Sequence, residues 1–323
     1  MDYYVIFFFI SVAKVKYIPY CNRFQLYVKI IIEVMKLIDF SNSKLDNRYY
    51  GGSERKIGVV FNGERYMLKF QKKTPLGVRN NHISEYIGSH IFNMLDVTAQ
   101  ETVLGHYKGE TVVACKDFLA DGYMFVPFND IGESTIETSK EKFQYTYDDI
   151  VTMLELNRKL TNVHETVNVF FETFIIDAFI GNFDRHGNNW GFIKKDNKYK
   201  LSPIFDNGSS LFPSLVNYDY INYILKSKEE INKRVYEFPT SQIKINNKKS
   251  SYYDVISSLE FPLINKALLK IYPKINMDDI YFFIESIEID DILKCFYKRI
   301  LNERYNKILK YSYEKLVNKI EKI

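Results

Sequence analysis

The sequence is poor in cysteine, proline, glycine and tryptophan, with three, eight, fourteen and one of each in 323 residues. Cys21, Cys115 and Cys295 are too few and too scattered for a disulfide framework or a zinc cage, and read as reduced, buried thiols. His82, His90, His106, His164 and His186 show no H-E-x-x-H spacing, so no histidine-based metal centre is expected. Sparse glycine and proline exclude a collagen-like or low-complexity chain. Charge of neither sign dominates: 44 Lys and Arg stand against 40 Asp and Glu, a net +4. An acidic solvating tail is excluded, and without a dense basic stretch no specific nucleic acid is expected as a partner. The opening apolar run, Tyr3 to Ala13, is eleven residues long, too short to span a bilayer, so no transmembrane anchor is expected. What the chain has in plenty is hydrophobic residues, 46%, with 26 Tyr and 25 Phe. Such a chain buries a large core, and its length suits two lobes better than one small domain.

Residues 1–34 read three ways. Ser11-Val12-Ala13 imitates an export cleavage site, yet Asp2 stands where a positive start is expected. The segment also suits an extra strand or helix packed on the body, or a dispensable leader ahead of a functional start at Met35. A cytoplasmic protein is the expectation, because no convincing signal peptide supports secretion.

From Met35 the pattern is clearer. Residues 57–61 and 65–70 are β-rich runs around Asn62-Gly63, a two-residue hairpin signal, and Gly51-Gly52-Ser53 leads into the first of them. Ile83, Ile87, Ile91 and Leu95, four apart, predict one helix face. Val103–Tyr107 and Thr111–Cys115 predict a second hairpin around Lys108-Gly109. Residues 168–180 are apolar almost all round, as in a helix at the middle of a domain, and Gly181 is a natural stop. The tail from Asp290 carries Leu293, Phe296, Ile300, Ile308, Leu309 and Leu316 on one stripe, a packed helix or helix pair. The chain therefore divides into an extension (1–34), a β-rich lobe (35–118) and a mainly helical lobe (119–323), an α+β fold.

Chemistry concentrates in 181–210. After the buried helix a polar loop packs Asp184, Arg185, His186, Asn188 and Asn189 together, then strand-like runs 190–194 and 199–205 follow. A turn centred between 197 and 198 gives paired residues a constant index sum of 395, which would set Asn189 beside Asp206, with Asp184 at the mouth of the preceding loop. An amide and a carboxylate beside a free carboxylate suit Mg²⁺, which takes oxygen ligands and completes its shell with waters and phosphates. Phosphoryl transfer needs those parts, and in protein kinases the base and the metal-binding Asn lie five apart, as Asp184 and Asn189 do. The plainer alternative is a solvated Asx-rich turn. On the opposing wall Lys69, among apolar strand residues, would point into a cleft; Glu85 could pair with it or merely suit a helix N-terminus. Free N–H groups of Gly51-Gly52-Ser53 could hold phosphate oxygens.

These residues resemble the HipA-like serine/threonine kinases, and among them the compact cell-translocating type. The likeness is carried by MKLIDF (35–40), GGSERKIGVVFNGERYMLKF (51–70), ISEYIGSHI (83–91), ETVLGHYKGETVVACKDF (101–118), GNFDRHGNNWGF (181–192) and LSPIFDNGSSLFP (201–213). It begins at Met35, which favours the internal start. The resemblance implies a two-lobed kinase-like fold that binds ATP and Mg²⁺ between its lobes. It implies Asp184 as catalytic base, His186 near the terminal phosphate, Asn189 and Asp206 as metal ligands, and Lys69 on the α/β-phosphates. Cys115, Lys116, Asp117 and Phe118 would form the hinge beside adenine, and Ser53 would be the autophosphorylation candidate, an off-switch by added charge. A protein substrate and an antitoxin-like partner are the implied partners. Two departures stand out: GGSERKIG replaces G-x-G-x-x-G, and Asp206 is followed by Asn-Gly, not Phe-Gly. Two further readings are carried forward. Asp-Arg-His-x-x-Asn also looks like the loop of phosphoinositide kinases, and a pseudokinase of a toxin–antitoxin pair would bind nucleotide or a partner without turnover.

Overall fold

Asn62 and Gly63 adopt φ of 50° and 80°, and Lys108 and Gly109 repeat the same pair of angles. Positive φ at both central residues matches the twist of the flanking strands, and both predicted hairpins are present. The computed structural model describes residues 37–48, 50, 51, 54–75, 77–132, 146–155, 162–196, 198–245 and 248–322. The extension 1–34, Met35, Gly52 and Ser53 lie outside the described residues.

The strands are β1 (Ile38–Asp39), β2 (Lys44–Asp46), β3 (Lys56–Phe61), β4 (Glu64–Phe70), β5 (Lys73–Thr74), β6 (Gly77–Val78), β7 (Thr102–Tyr107) and β8 (Glu110–Lys116). Six of them form one sheet in the order β1-β7-β8-β4-β3-β2, antiparallel except for β1 beside β7. Leu68 and Phe70 join Phe40, Val59, Tyr107, Val112 and Ala114 in an apolar core on one face. Side chains alternate along a strand, so Met67, Lys69, Val113 and Cys115 turn to the other face. Helix α1 (Asn81–Met94) packs against β7 and β8, with Ile83, Ile87, Ile91 and the following Leu95 all buried.

Beyond β8 the chain runs through 117–123 into β9 (Met124–Pro127), which pairs with β10 (Gly191–Lys195), itself paired with β11 (Lys198–Leu201). Between β9 and β10 lies α2 (Val163–Ile180), buried over most of its length. Asn162 caps its start, its Oδ1 accepting from the Glu165 N–H at 3.1 Å while its Nδ2 donates to the Glu165 carboxylate at 2.6 Å, and Gly181 ends it at φ 65°. The tail is one continuous helical run: α3 (Asp291–Arg304), a π-helical segment Tyr305–Lys310, then Tyr311–Ile320. All six residues of its predicted stripe are buried. Leu37–Ile323 forms a single compact unit, and among the described residues no helix is long and apolar enough to cross a membrane.

The register of the β10–β11 hairpin corrects the sequence expectation. Lys195 faces Lys198 and Phe192 faces Leu201, an index sum of 393, not 395. The turn is centred one residue earlier than expected, between 196 and 197, with Asp196 at φ 48°. The ladder stops at Leu201, and Ile204 forms a parallel bridge with Ala99 instead. Asn189 and Asp206 are therefore not cross-strand partners; what joins their segments is described next.

Candidate active site

Lys69 is the first residue to place. Its neighbours Leu68 and Phe70 face the core, so the lysine is forced onto the opposite face of β4, where it is 5% exposed. A buried ammonium needs partners, and it has two: Glu85 Oε2 at 3.0 Å, from α1, and Asp206 Oδ1 at 2.8 Å. Burial works against its charge, but Asp206 and Glu85 outweigh that and hold its pKa well above the ordinary lysine value. For Asp206 burial would raise the carboxyl, yet the charge and hydrogen bond of Lys69 win and keep it below the usual range, so it is ionised at neutral pH. Asp206 sits at φ 60°, a left-handed conformation that Asp tolerates better than most residues.

Asp184 lies on the loop after α2. Burial first, and then the negative Asp206, raise its carboxyl above the ordinary value, with His186 pulling the other way. The two aspartates thus feel each other. His186 Nε2 is 3.8 Å from Asp184 Oδ1, and both side chains are partly exposed. Asn189 donates Nδ2 to the Asp184 carbonyl at 2.7 Å, which leaves its Oδ1 without a hydrogen bond among the described residues.

The sequence reading gave Arg185 no role, and here the structure adds most. Arg185 is 7% exposed and points inward. Nε and Nη2 bind Asp177 of α2 at 2.9 and 3.0 Å, and Nη1 binds the Asn189 carbonyl at 3.0 Å. Nη1 also donates to the Phe205 carbonyl, and Nη2 to Asn207 Oδ1. Asn207, fully buried, donates onward to Ser89 of α1 at 3.0 Å. Asn182 completes the network, donating to Asp177 at 2.9 Å and accepting from the Asp184 N–H at 3.2 Å. A signal for this existed: Asp177 is a carboxylate inside the apolar stretch 174–180 that ends α2, and such a group demands a buried partner.

Lys56 was also missed, although the Asn62-Gly63 turn already dictates that it stands directly opposite Lys69. Its Nζ donates to the Gly51 carbonyl. Burial and the charge of Lys69 lower its pKa, while Asp206 and Glu54 act the other way. Glu54, raised mainly by burial, is also within electrostatic reach of Lys69, Asp206 and Glu85. Two cations and two of these carboxylates therefore share one wall.

The predicted hinge divides. Cys115 is fully buried, and burial pushes its thiol up, so it is neutral and inert. Lys116 is not brought to the cluster: its ammonium meets Glu64 at 2.7 Å and Glu101 at 3.7 Å, and its N–H and carbonyl are both taken. The Asp117 carboxylate anchors Arg48 at 2.5 Å and the Tyr50 hydroxyl at 3.0 Å, just ahead of Gly51. Phe118 meets Phe125 edge-on and Phe205 at a tilt, with ring centroids 6.3 and 5.8 Å apart. Neither the Asp117 carbonyl nor the Phe118 N–H has a hydrogen bond among the described residues. Ser53 and Gly52 lie outside those residues.

Among the described residues no three His, Cys, Asp or Glu side chains cluster as a preformed metal cage. The donors at hand, an ionised Asp206 and the Asn189 amide oxygen, fit Mg²⁺, which binds through one or two protein oxygens and keeps waters or phosphates for the rest.

Known proteins resemble this chain in sequence and in fold. The family model described as HipA-like C-terminal domain matches residues 49–261. A curated Helicobacter pylori protein named serine/threonine-protein kinase CtkA is 34% identical over 293 residues, 88% of this chain and 90% of that protein. The crystal structure of H. pylori proinflammatory kinase CtkA matches with a TM-score of 0.82 at 33% identity, covering 88% of this chain and 98% of the other. HipA of Shewanella oneidensis, crystallised with HipB and operator DNA, matches with a TM-score of 0.55 at 15% identity, over 94% of this chain and 75% of that one, a likeness of fold.

Proposed function

This chain belongs to the family of the HipA-like C-terminal domain, and on that premise we propose that it is an ATP-dependent serine/threonine protein kinase. The observation that carries the reading is Lys69, buried between Glu85 and Asp206 on one side of a site whose other side holds Asp184 and Asn189. Lys69 holds the α/β-phosphates, and Lys56, opposite it, adds a second cation to the same wall. The free Asp117 carbonyl and Phe118 N–H receive the adenine edge, with the residues from 35 to 118 as one lobe and those from 119 to 323 as the other. Asn189 and Asp206 hold the Mg²⁺, which when bound neutralises phosphate charge.

The substrate hydroxyl oxygen attacks the γ-phosphorus, its proton passes to the Asp184 carboxylate, and the bond to the β-phosphate oxygen breaks, releasing ADP. The partial exposure of Asp184 lets a protein hydroxyl approach, and His186 beside it is a donor for the terminal phosphate. Ser53 is the proposed autophosphorylation site. Cytoplasmic residence, where ATP is abundant, and a small antitoxin-like partner, on the precedent of the HipA–HipB complex, complete the proposal.

The test is incubation of the purified protein with γ-labelled ATP and Mg²⁺, alone and with a protein acceptor or phosphoinositide vesicles. Label on protein is expected, with a fall of about 10²–10⁴-fold in Asp184→Asn and Asp206→Asn. Label on vesicles alone would favour the lipid kinase, and none anywhere the pseudokinase. Ser53→Ala should lose self-label while still phosphorylating the acceptor.

A further inference from the structure

We propose that Arg185 is a positioning residue that assembles the metal site, by tying both metal-ligand segments to α2 through a single guanidinium. This rests on the kinase reading above. The hairpin register does not bring Asn189 and Asp206 together, because its ladder ends at Leu201. Arg185 does. Its Nη1 bonds the carbonyl of Asn189 itself and the carbonyl of Phe205, the residue before Asp206, and Nη2 bonds the side chain of Asn207, the residue after it. The carboxylate segment is thus held on both flanks. The remaining N–H groups clamp Asp177 bidentately, so every donor of the guanidinium is spent. Lysine, a point charge with three donors, cannot span this set.

The arrangement also accounts for the Asp-Asn-Gly spelling. Asn207 is wholly buried between Arg185 and Ser89 of α1. A polar tie stands where Asp-Phe-Gly would have a packed ring, and it links the metal segment to the helix that carries Glu85. Gly88 of α1 makes room for it: a Cβ there would lie 2.6 Å from Asn207 Cβ.

The experiment uses the full chain and Mn²⁺ as probe. Free Mn²⁺ is followed by electron paramagnetic resonance in the presence of ADP, for wild type, Arg185→Lys, Asn207→Ala and Tyr252→Phe. Tyr252 donates to the Asn182 carbonyl at 2.7 Å, in the same network but away from both metal segments. The expected result is Mn²⁺ affinity lowered at least tenfold in Arg185→Lys and several-fold in Asn207→Ala, with metal-free ADP affinity within threefold of wild type. Tyr252→Phe should melt at a lower temperature yet bind Mn²⁺ as wild type does. If Arg185→Lys does not melt cooperatively, Asn207→Ala decides. Unchanged Mn²⁺ binding in Asn207→Ala, or in a folded Arg185→Lys, overturns the positioning role while leaving the kinase reading intact. Wild type that binds no Mn²⁺ with ADP overturns both.

Discussion

The ammonium of Lys69 stands 2.8 Å from an Asp206 carboxylate oxygen although 137 residues separate the two in the chain. With Glu85 at 3.0 Å this makes one buried cation shared by two carboxylates.

Replacing the cation should expose how much of the site depends on it. Lys69→Met leaves Glu85 buried and unpaired, and breaking such a pair from one side costs about 3–5 kcal/mol. The expected outcome is a clearly lower melting temperature together with loss of ATP binding, measured by calorimetry. A variant as stable as wild type would show that the Lys69–Glu85 pair contributes little to stability.

Acid should stop the chemistry before it unfolds the protein. Asp184 is raised above 3.8 and Asp206 held below it. A base must be ionised, so kcat/KM should fall as pH drops through the raised value of Asp184, while Asp206 is still charged. Stability runs the other way for the two groups. The contribution of Asp206 is complete above its unfolded value and is lost only as pH falls through its depressed folded value. The folded form holds the Asp184 proton more tightly, so that group adds stability on the same descent. Rate and melting profiles against pH separate these effects, and an acid limb that coincides with unfolding would contradict the assignment of Asp184.

Gly88→Ala would ordinarily gain up to about 1 kcal/mol of helix propensity. Here the new Cβ would lie 2.6 Å from the Cβ of Asn207, which Arg185 and Ser89 hold in place. Overpacking of this kind costs about 1–3 kcal/mol, so the crowding wins. A lower melting temperature and a kcat reduced at least tenfold are expected. An alanine variant more stable than wild type would show that the contact between α1 and the metal segment can yield.

Arg304 is fully buried at the end of α3, and burial lowers its pKa to about 10, so it stays charged. It donates to the carbonyl of Ala178 at 2.7 Å, in the last turn of α2, and to the carbonyl of Arg234 at 2.6 Å. A cation at a helix C-terminus is favourable, and orphaned buried carbonyls cost about 1–3 kcal/mol each. Arg304→Met should lose about 2 kcal/mol net once the relief of burying a charge is allowed for. Denaturant titration would read it, and a neutral result would make the tail dispensable to the end of α2.

Much of the fold was legible because it is local. Asn62-Gly63 and Lys108-Gly109 announce hairpins because only certain residues accept positive φ twice in succession. The spacing of Ile83, Ile87, Ile91 and Leu95 announces α1, and an apolar stretch ending at Gly181 announces α2. The tail stripe followed in the same way. Asp184, Asn189, Asp206, Lys69 and Glu85 were legible as chemistry-bearing types at telling spacings. The β10–β11 register was not, because a turn placed one residue earlier slides the whole ladder while changing little in the pattern on either side.

Arg185 shows where sequence reasoning stops. Beside Asp184 it looked like part of a solvated loop, and only the packing of α2 under that loop turned it inward to Asp177. Asn207 stood out in the sequence only as a departure from Asp-Phe-Gly, and in the structure it is a buried strut between Arg185 and Ser89. From the sequence alone came the hairpins at Asn62-Gly63 and Lys108-Gly109, α1, α2, the tail helix, and which residue types could do chemistry, since periodicity and turn preference act over a few residues. The tertiary structure alone decided which of those residues meet, because a buried charge takes whatever partner the packing brings within hydrogen-bonding distance, however far away it lies along the chain.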